Sequence, residues 1–496
     1  MQGGSLKLSA WNKKNVVKVA ITYFLNVILM FLMFIAMAAI NGASQGKNLE
    51  EQLKSFATLF DFAVLLVIMI AVTFIYFFFE DRDFLKSAAN SEMLFLIMEL
   101  GVIITYACGK YINPYIRPLA LVAILTLFLS GSKDSVFVNF IFVILMFLYD
   151  SFTGNIEGYD AFDTVFFVAT GLAAGVIASY SMKGLYSRLK IMLMSLLVSI
   201  PSLVSFVLPG VQFGDGKTIA NIAAGVLSGP LATAIFIVLL PIFEGLFKKA
   251  TCFKLAELTD HKAKLIRKLI TKAPGTFNHS IIVSNIAEAC ATAIGEDALL
   301  ARTCAYYHDV GKLRRPEFFK ENQAEQDNPH NDLTPELSAN IIKSHTQDGY
   351  ALALKSGIPK EIADKCLEHH GTMPILFFYD KAKKFTDGEV PLANFCYSGP
   401  KPQSKISAII MIADGSEAAT RTLKDRTREN VTKAVKKIVS DRMQLGQFDE
   451  CEITLKELNI IIHTVVNSLT GVYHNRVEYP KVSLEGLDID DDKDER

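Results

Sequence analysis

The chain has 496 residues, enough for two or more domains, and with 51% hydrophobic residues and a mean hydropathy of +0.31 it is too apolar for an ordinary soluble protein. A net charge of −1, with no Lys/Arg-rich tract carrying interleaved aromatics, argues against a binder of nucleic-acid polymers. Seven scattered cysteines without pairing spacing point to reduced thiols rather than a disulfide framework, and so to a polar half that faces the cytosol.

The apolar excess lies ahead of residue 248, and all nine histidines, His261 to His474, lie behind it. Residues 1–247 therefore read as a polytopic transmembrane helical domain. A basic start containing Lys7, Lys13 and Lys14 precedes an apolar run over 19–40, too long for the core of a cleaved signal peptide. Further runs follow at 57–79, 92–109, 115–131, 135–149, 161–182, 189–211 and 222–247, making eight spans, or seven if 115–149 is one broken span. With eight, the basic N-terminus, the loop with Lys183, Arg188 and Lys190, and Lys248 with Lys249 all fall on the cytoplasmic side, and the acidic loop 155–163 falls outside. Asn26, Asp61, Glu99 and Asn139 lie within these runs, as ligand or ion sites or as hydrogen-bonding groups between helices. Gly229, Pro230 and Pro241 are placed to kink the last span.

Residues 248–274 form a basic amphipathic stretch, a helical connector near anionic headgroups or one with a solvated face. Over 275–482 apolar residues recur every three to four positions with no strand alternation, which predicts an all-helical domain. The acidic run in 483–496 reads as a disordered tail.

Chemistry is concentrated in CAYYHDVGKLRRPE, 304–317. Adjacent His308 and Asp309 can grip one ion only where the chain turns, and Gly311 permits a turn. Imidazole and a bridging carboxylate suit metal ions, and Lys312 suits a phosphate oxygen. A lone His-Asp pair is more often a surface hydrogen bond, so support must come from elsewhere. His279 opens one helix, His345 lies on the face of another, His369 and His370 end a third ahead of Gly371, and Asp414 follows an apolar run, where a carboxylate needs a partner. A helical bundle can turn such groups inward to hold two metals with Asp309 between them. The shell contains no cysteine, Cys304 and Cys366 being packing residues, and so suits Fe or Mn ahead of Zn or Mg. Two metals acting on a phosphodiester imply its hydrolysis.

These residues sit in KLAELTDHKAKLIRKLITKAPGTFNHS, ARTCAYYHDVGKLRRPEFFKENQ, NPHNDLTPELSANIIKSH, EHHGT and SGPKPQSKISAIIMIADGSEAATRTL, with HNRVEYPK further on. The constellation resembles the HD-domain metal-dependent phosphohydrolases. More narrowly, residues 243–480 are similar to the seven-transmembrane-receptor HD hydrolases, bacterial membrane enzymes that cleave cyclic di-AMP to linear pApA.

The resemblance implies a multi-pass protein of the bacterial cell membrane with a cytoplasmic HD bundle, two divalent metal ions, and cyclic di-AMP or a related cyclic dinucleotide as substrate. It makes His279, His308, Asp309, His345, His369 and Asp414 metal ligands and His370 a ligand or phosphate contact. His308, Asp309, Lys312 and His370 become the catalytic groups, and His330, Ser404 and Lys405 lie near the nucleotide, His330 being equally well a structural residue of its turn. Pairing into a homodimer is compatible with it. Gly371 to Pro374 reads GTMP where the cyclic di-GMP branch has GYP, which favours the di-adenosine branch. The family's large extracellular sensor after span one has no counterpart, because only 41–55 separates the first two spans. Two alternatives stay open: an HD hydrolase of another cyclic dinucleotide or nucleotide, and a non-catalytic nucleotide-binding membrane receptor.

Overall fold

The computed structural model describes residues 13–48, 56–153, 161–207, 216–323, 328–385 and 388–472. The described residues are helical and contain no strand, only an isolated bridge between Pro374 and Cys396, in keeping with the all-α expectation. Lys7, most of the acidic loop 155–163, the stretch containing His474 and the tail 483–496 lie outside the described residues. The chain divides into two compact units, Met1–Glu257 and Leu258–Arg496.

In the first unit every expected apolar run carries helix. Five helices are long and apolar enough to cross a membrane: Asn15–Ser44, Thr58–Glu80, Ala88–Tyr111, Ser132–Thr153 and Thr218–Phe247. Pro114–Leu129 and Phe167–Ser181 are shorter apolar helices. Residues 115–149 are two elements, because Gly131, at φ +116, turns the chain between Leu121–Leu129 and Ser132–Thr153. The run 189–211, read as one span, is divided into Arg188–Val198 and Ile200–Val207, since Pro201 lacks the amide needed to continue the first helix. Pro230 and Pro241 lie inside the continuous helix Gly216–Phe247.

The polar groups in this unit behave differently from one another. Asn139 donates to the Gly171 carbonyl of a neighbouring helix at 3.2 Å, whereas Asn26 donates within its own helix to Thr22 at 2.8 Å. Asp61 is exposed, and Glu99 is buried with an oxygen that has no hydrogen-bond partner among the described residues. Arg117 and Asp150 form a buried ion pair. The Asn139 contact requires small residues opposite, and a Cβ at Gly175 would collide with the Asn139 amide. Gly175→Val is therefore expected to destabilise the unit by about 1–3 kcal/mol, seen as a lower melting temperature of the detergent-solubilised protein.

The second unit is built around Pro274–Ile294, which packs on Ala298–Tyr307, Lys405–Thr422 and Leu455–Val472. Pro274 starts that helix, where a missing amide costs nothing, and Gly295 ends it at φ +80. Asp297 caps the next helix through the Leu300 amide, and Thr334 caps Pro335–Lys355 through the Leu337 amide. Lys360–Glu368 packs against both Ala298–Tyr307 and Pro335–Lys355. This arrangement brings the ends or faces of five helices to one buried place.

Candidate metal centre

His308 is the C-cap of Ala298–Tyr307, and Asp309 precedes the tight turn Val310–Arg314. The role of Gly311 differs from the one its sequence suggests. Its φ is unexceptional, but a Cβ there would strike the His345 carbonyl and the Gly349 amide, so glycine permits the turn to lie directly on Pro335–Lys355.

Asp309 stands at the centre. Its Oδ2 is 3.3 Å from His308 Nε2 and 3.6 Å from His279 Nε2, while its Oδ1 is 3.3 Å from His345 Nε2 and 3.7 Å from His369 Nε2. Asp414 Oδ1 lies 3.1 Å from His279 Nε2, and its Oδ2 lies 3.8 Å from His370 Nδ1. One carboxylate thus faces two pairs of imidazoles through separate oxygens. Three overlapping groups result: His279, His308 and Asp414; His308, Asp309 and His369; and His345, His369 and His370, each with ligand atoms within 4.8 Å of one another.

The imidazoles are aimed from behind. Nδ1 of His308 meets the Ala305 carbonyl at 2.6 Å, that of His345 meets Ile342 at 2.5 Å, and that of His369 meets Lys365 at 3.1 Å. With Nδ1–H donating to a carbonyl, each ring presents Nε2 as a bare lone pair. His279 is held by a side chain instead, its Nδ1 lying 2.7 Å from Glu417, which Arg421 anchors in turn.

Charge states follow from the surroundings. Burial pulls the pKa of His345 and His369 down, and that of His370 down to about 3, so these rings are neutral at pH 7. Burial would raise Asp309 and Asp414, but Lys312 and His308 hold the first, and His279 and His370 the second, well below the usual carboxylate range. For His279 burial disfavours the charge, yet the hydrogen bonds to Asp414 and Glu417 push its pKa up to about 9. A raised folded pKa contributes stability that is complete below the ordinary value near 6.5 and disappears as pH rises through 9. Metal-free protein is therefore expected to lose thermal stability between pH 6.5 and 9, and metal uptake to strengthen over the same interval as a proton leaves His279. Melting curves and metal titrations at pH 6, 7.5 and 9 measure both.

The donor set fits divalent metal. His308 Nε2 and Asp309 Oδ1 are buried without a hydrogen-bond partner among the described residues, an arrangement proteins avoid unless another group completes it. No cysteine enters any of the three groups. Burial raises the pKa of both Cys304 and Cys366, keeping them as thiols, and Cys366 donates to the Tyr307 carbonyl.

Lys312 reaches Asp309 Oδ2 and Glu321 Oε1, both at 2.7 Å. The other residues named from the sequence are engaged elsewhere. His330 Nε2 meets the Phe318 carbonyl at 3.0 Å and the ring packs on Phe318 and Phe378. Ser404 caps Lys405–Thr422 and accepts from Lys365 at 3.2 Å, while Lys405 pairs with Glu457 at 2.6 Å and Glu296 at 3.3 Å. Among the described residues none of the three has a polar contact with the Asp309 cluster.

Three supporting residues escaped the sequence reading. Glu417 was accessible, since it lies three residues beyond Asp414 and so on the same helix face. Glu321 and Tyr397, whose ring stacks on His370 at 4.3 Å, sit in irregular segments where no period reveals facing direction.

A family model described as HD domain matches residues 276–419, and one described as 7TM receptor with intracellular HD hydrolase matches residues 55–251. Cyclic-di-AMP phosphodiesterase PgpH of Bacillus subtilis is 36% identical over 435 residues, covering 84% of this chain and 60% of that protein. Cyclic-di-AMP phosphodiesterase PgpH of Listeria monocytogenes is 34% identical over 449 residues, covering 90% of this chain and 58% of that one. The chain thus spans about three fifths of the length of these curated relatives. A crystal structure of the L. monocytogenes PgpH HD domain in complex with cyclic-di-AMP is 47% identical, covers 43% of this chain and 99% of its own, and has a TM-score of 0.41.

Proposed function

We propose, from the premise that the chain belongs to the family of 7TM receptors with an intracellular HD hydrolase, that it is a membrane-anchored metal-dependent phosphodiesterase hydrolysing cyclic di-AMP to linear pApA. In this reading 1–247 is the membrane domain, 248–274 a connector and 275–482 the catalytic HD domain, on the cytoplasmic side, with 483–496 as a tail. The substrate class follows the relatives named as cyclic-di-AMP phosphodiesterases.

The observation that carries the reading is the bridging position of Asp309, with two imidazoles before each of its oxygens. His279, His308, Asp309 and Asp414 would hold one divalent cation, and Asp309, His345, His369 and His370 the other. Iron or manganese suits this shell of imidazoles and carboxylates without thiolate. Such a pair supplies Lewis acidity to the phosphodiester and to water.

The chain's own residues supply the rest. Lys312 stays charged, because Asp309 and Glu321 outweigh its burial, and it carries an ammonium that suits a phosphoryl oxygen. Glu321 restrains that ammonium, and Thr276 donates to the same Glu321 oxygen at 3.2 Å. His370, with 24% of its side chain exposed, is the cluster residue most open to solvent, so it is the one placed to meet the phosphate. Tyr397, stacked on its ring, fixes its plane.

The test is metal analysis of the full-length protein in detergent together with product identification on cyclic di-AMP. Linear pApA from protein holding two metal ions per chain is expected. A fully loaded protein that leaves cyclic di-AMP intact refutes the substrate, and one that cleaves another nucleotide in a panel redirects it.

A further inference from the structure

Residues 442–447 close one side of the cluster. They cross two glycines that each directly follow a cluster residue, Gly371 after His370 and Gly415 after Asp414. A Cβ on Gly371 would strike the Gln447 amide oxygen, and one on Gly415 would strike the Arg442 guanidinium. Gln447 is engaged within the protein, accepting from the Thr372 amide at 3.0 Å and donating to the Thr372 hydroxyl at 2.9 Å.

Arg442 is different. Among the described residues its one hydrogen bond runs from Nη1 to the Ile438 carbonyl of its own helix at 3.3 Å, and its Nε is buried without a partner. Among the described residues no carboxylate lies within the 4.0 Å of an ion pair. The buried Arg117, by contrast, is neutralised by Asp150. A guanidinium that is partly withdrawn from water beside Asp414, with its Nε buried and no carboxylate partner among the described residues, favours an anion that completes it. Burial accordingly lowers the Arg442 pKa, and Asp414 is the foremost charge opposing that shift. The planar fork of donors matches a phosphate better than an ammonium does.

A cyclic dinucleotide carries two phosphodiesters, and one dinuclear centre can engage only one of them. We propose that Arg442 is a substrate-binding residue that takes the phosphodiester the metal centre does not engage, on the Asp414 side of the cluster. This rests on the phosphodiesterase reading above and extends it to a residue on Arg428–Gln444 that no cluster contact identifies.

Full-length, metal-loaded protein in detergent tests it. Arg442→Gln is expected to raise KM for cyclic di-AMP about tenfold to a hundredfold, the size of a charge-assisted hydrogen bond, with kcat within about threefold of wild type. Calorimetric affinity for pApA should fall by a similar factor, while metal content and melting temperature hold. Arg442→Lys should recover part of the loss, since it keeps the charge but not the fork. Unchanged KM and pApA affinity in Arg442→Gln overturn the proposal. So does a joint fall of kcat, metal content and melting temperature in both variants, which marks a structural role. If the wild type is inert toward cyclic di-AMP, the substrate reading fails while the pApA titration still decides Arg442. A wild type that also fails to bind pApA counts against both.

Discussion

Asp309→Asn is expected to lower cyclic di-AMP hydrolysis by at least about a thousandfold, the scale of losing charge stabilisation at a reacting phosphate. Asparagine keeps the shape of aspartate, so the change removes charge and one acceptor without opening a cavity. One of the two positions now facing paired imidazoles becomes an amide nitrogen, which cannot coordinate a metal. Metal content should fall with activity, to one ion per chain or fewer. The variant should still fold, because Lys312, the buried cation nearest the change, retains Glu321 at 2.7 Å. Turnover assays, elemental analysis and a melting curve on one preparation separate these effects. Wild-type turnover in the variant, or in the combined His308→Ala, Asp309→Ala protein, refutes the metal-centred reading.

Gly311→Val is expected to act through the backbone and to be nearly as severe. The atoms a side chain would meet are the carbonyl of His345 and the amide of Gly349, neither of which can rotate aside. The turn Val310–Arg314 and the helix Pro335–Lys355 must separate, and they carry Asp309 and His345 on their facing edges. A loss of about 1–3 kcal/mol in stability should come with weakened metal retention. Gly388 is the control, since no atom lies within 4 Å of a Cβ there. Gly388→Ala should match wild type in melting temperature and metal content, and equal behaviour of the two variants would remove the close-approach argument.

Much of this architecture is legible in the primary structure because it rests on periodicity and polarity. The apolar runs find helices since a membrane-spanning segment must satisfy its backbone internally, and the histidines stand out because each is an expensive residue to bury. Division at Pro201 also had a visible cause that run length alone concealed. Side-chain partnership across irregular segments is another matter. Glu321 meets Lys312 from a turn nine residues away, and Tyr397 meets His370 from a loop, so no spacing rule joins either pair. Ser404, which the resemblance places near the nucleotide, caps a helix through the Ser407 amide, a local role that no spacing rule announces. Arg442 reads as one more charge on a solvated helix until the glycine opposite it is seen in space.

The unequal anchoring of the imidazoles has a consequence for how the centre wears under perturbation. Three rings take their bearing from main-chain carbonyls, which no substitution can delete. His279 leans instead on a mutable acid, Glu417, itself tied to Arg421. The half of the centre nearest His279 is thus the fragile one, and drift, acid or damage should empty it first, leaving a half-filled protein rather than a bare one.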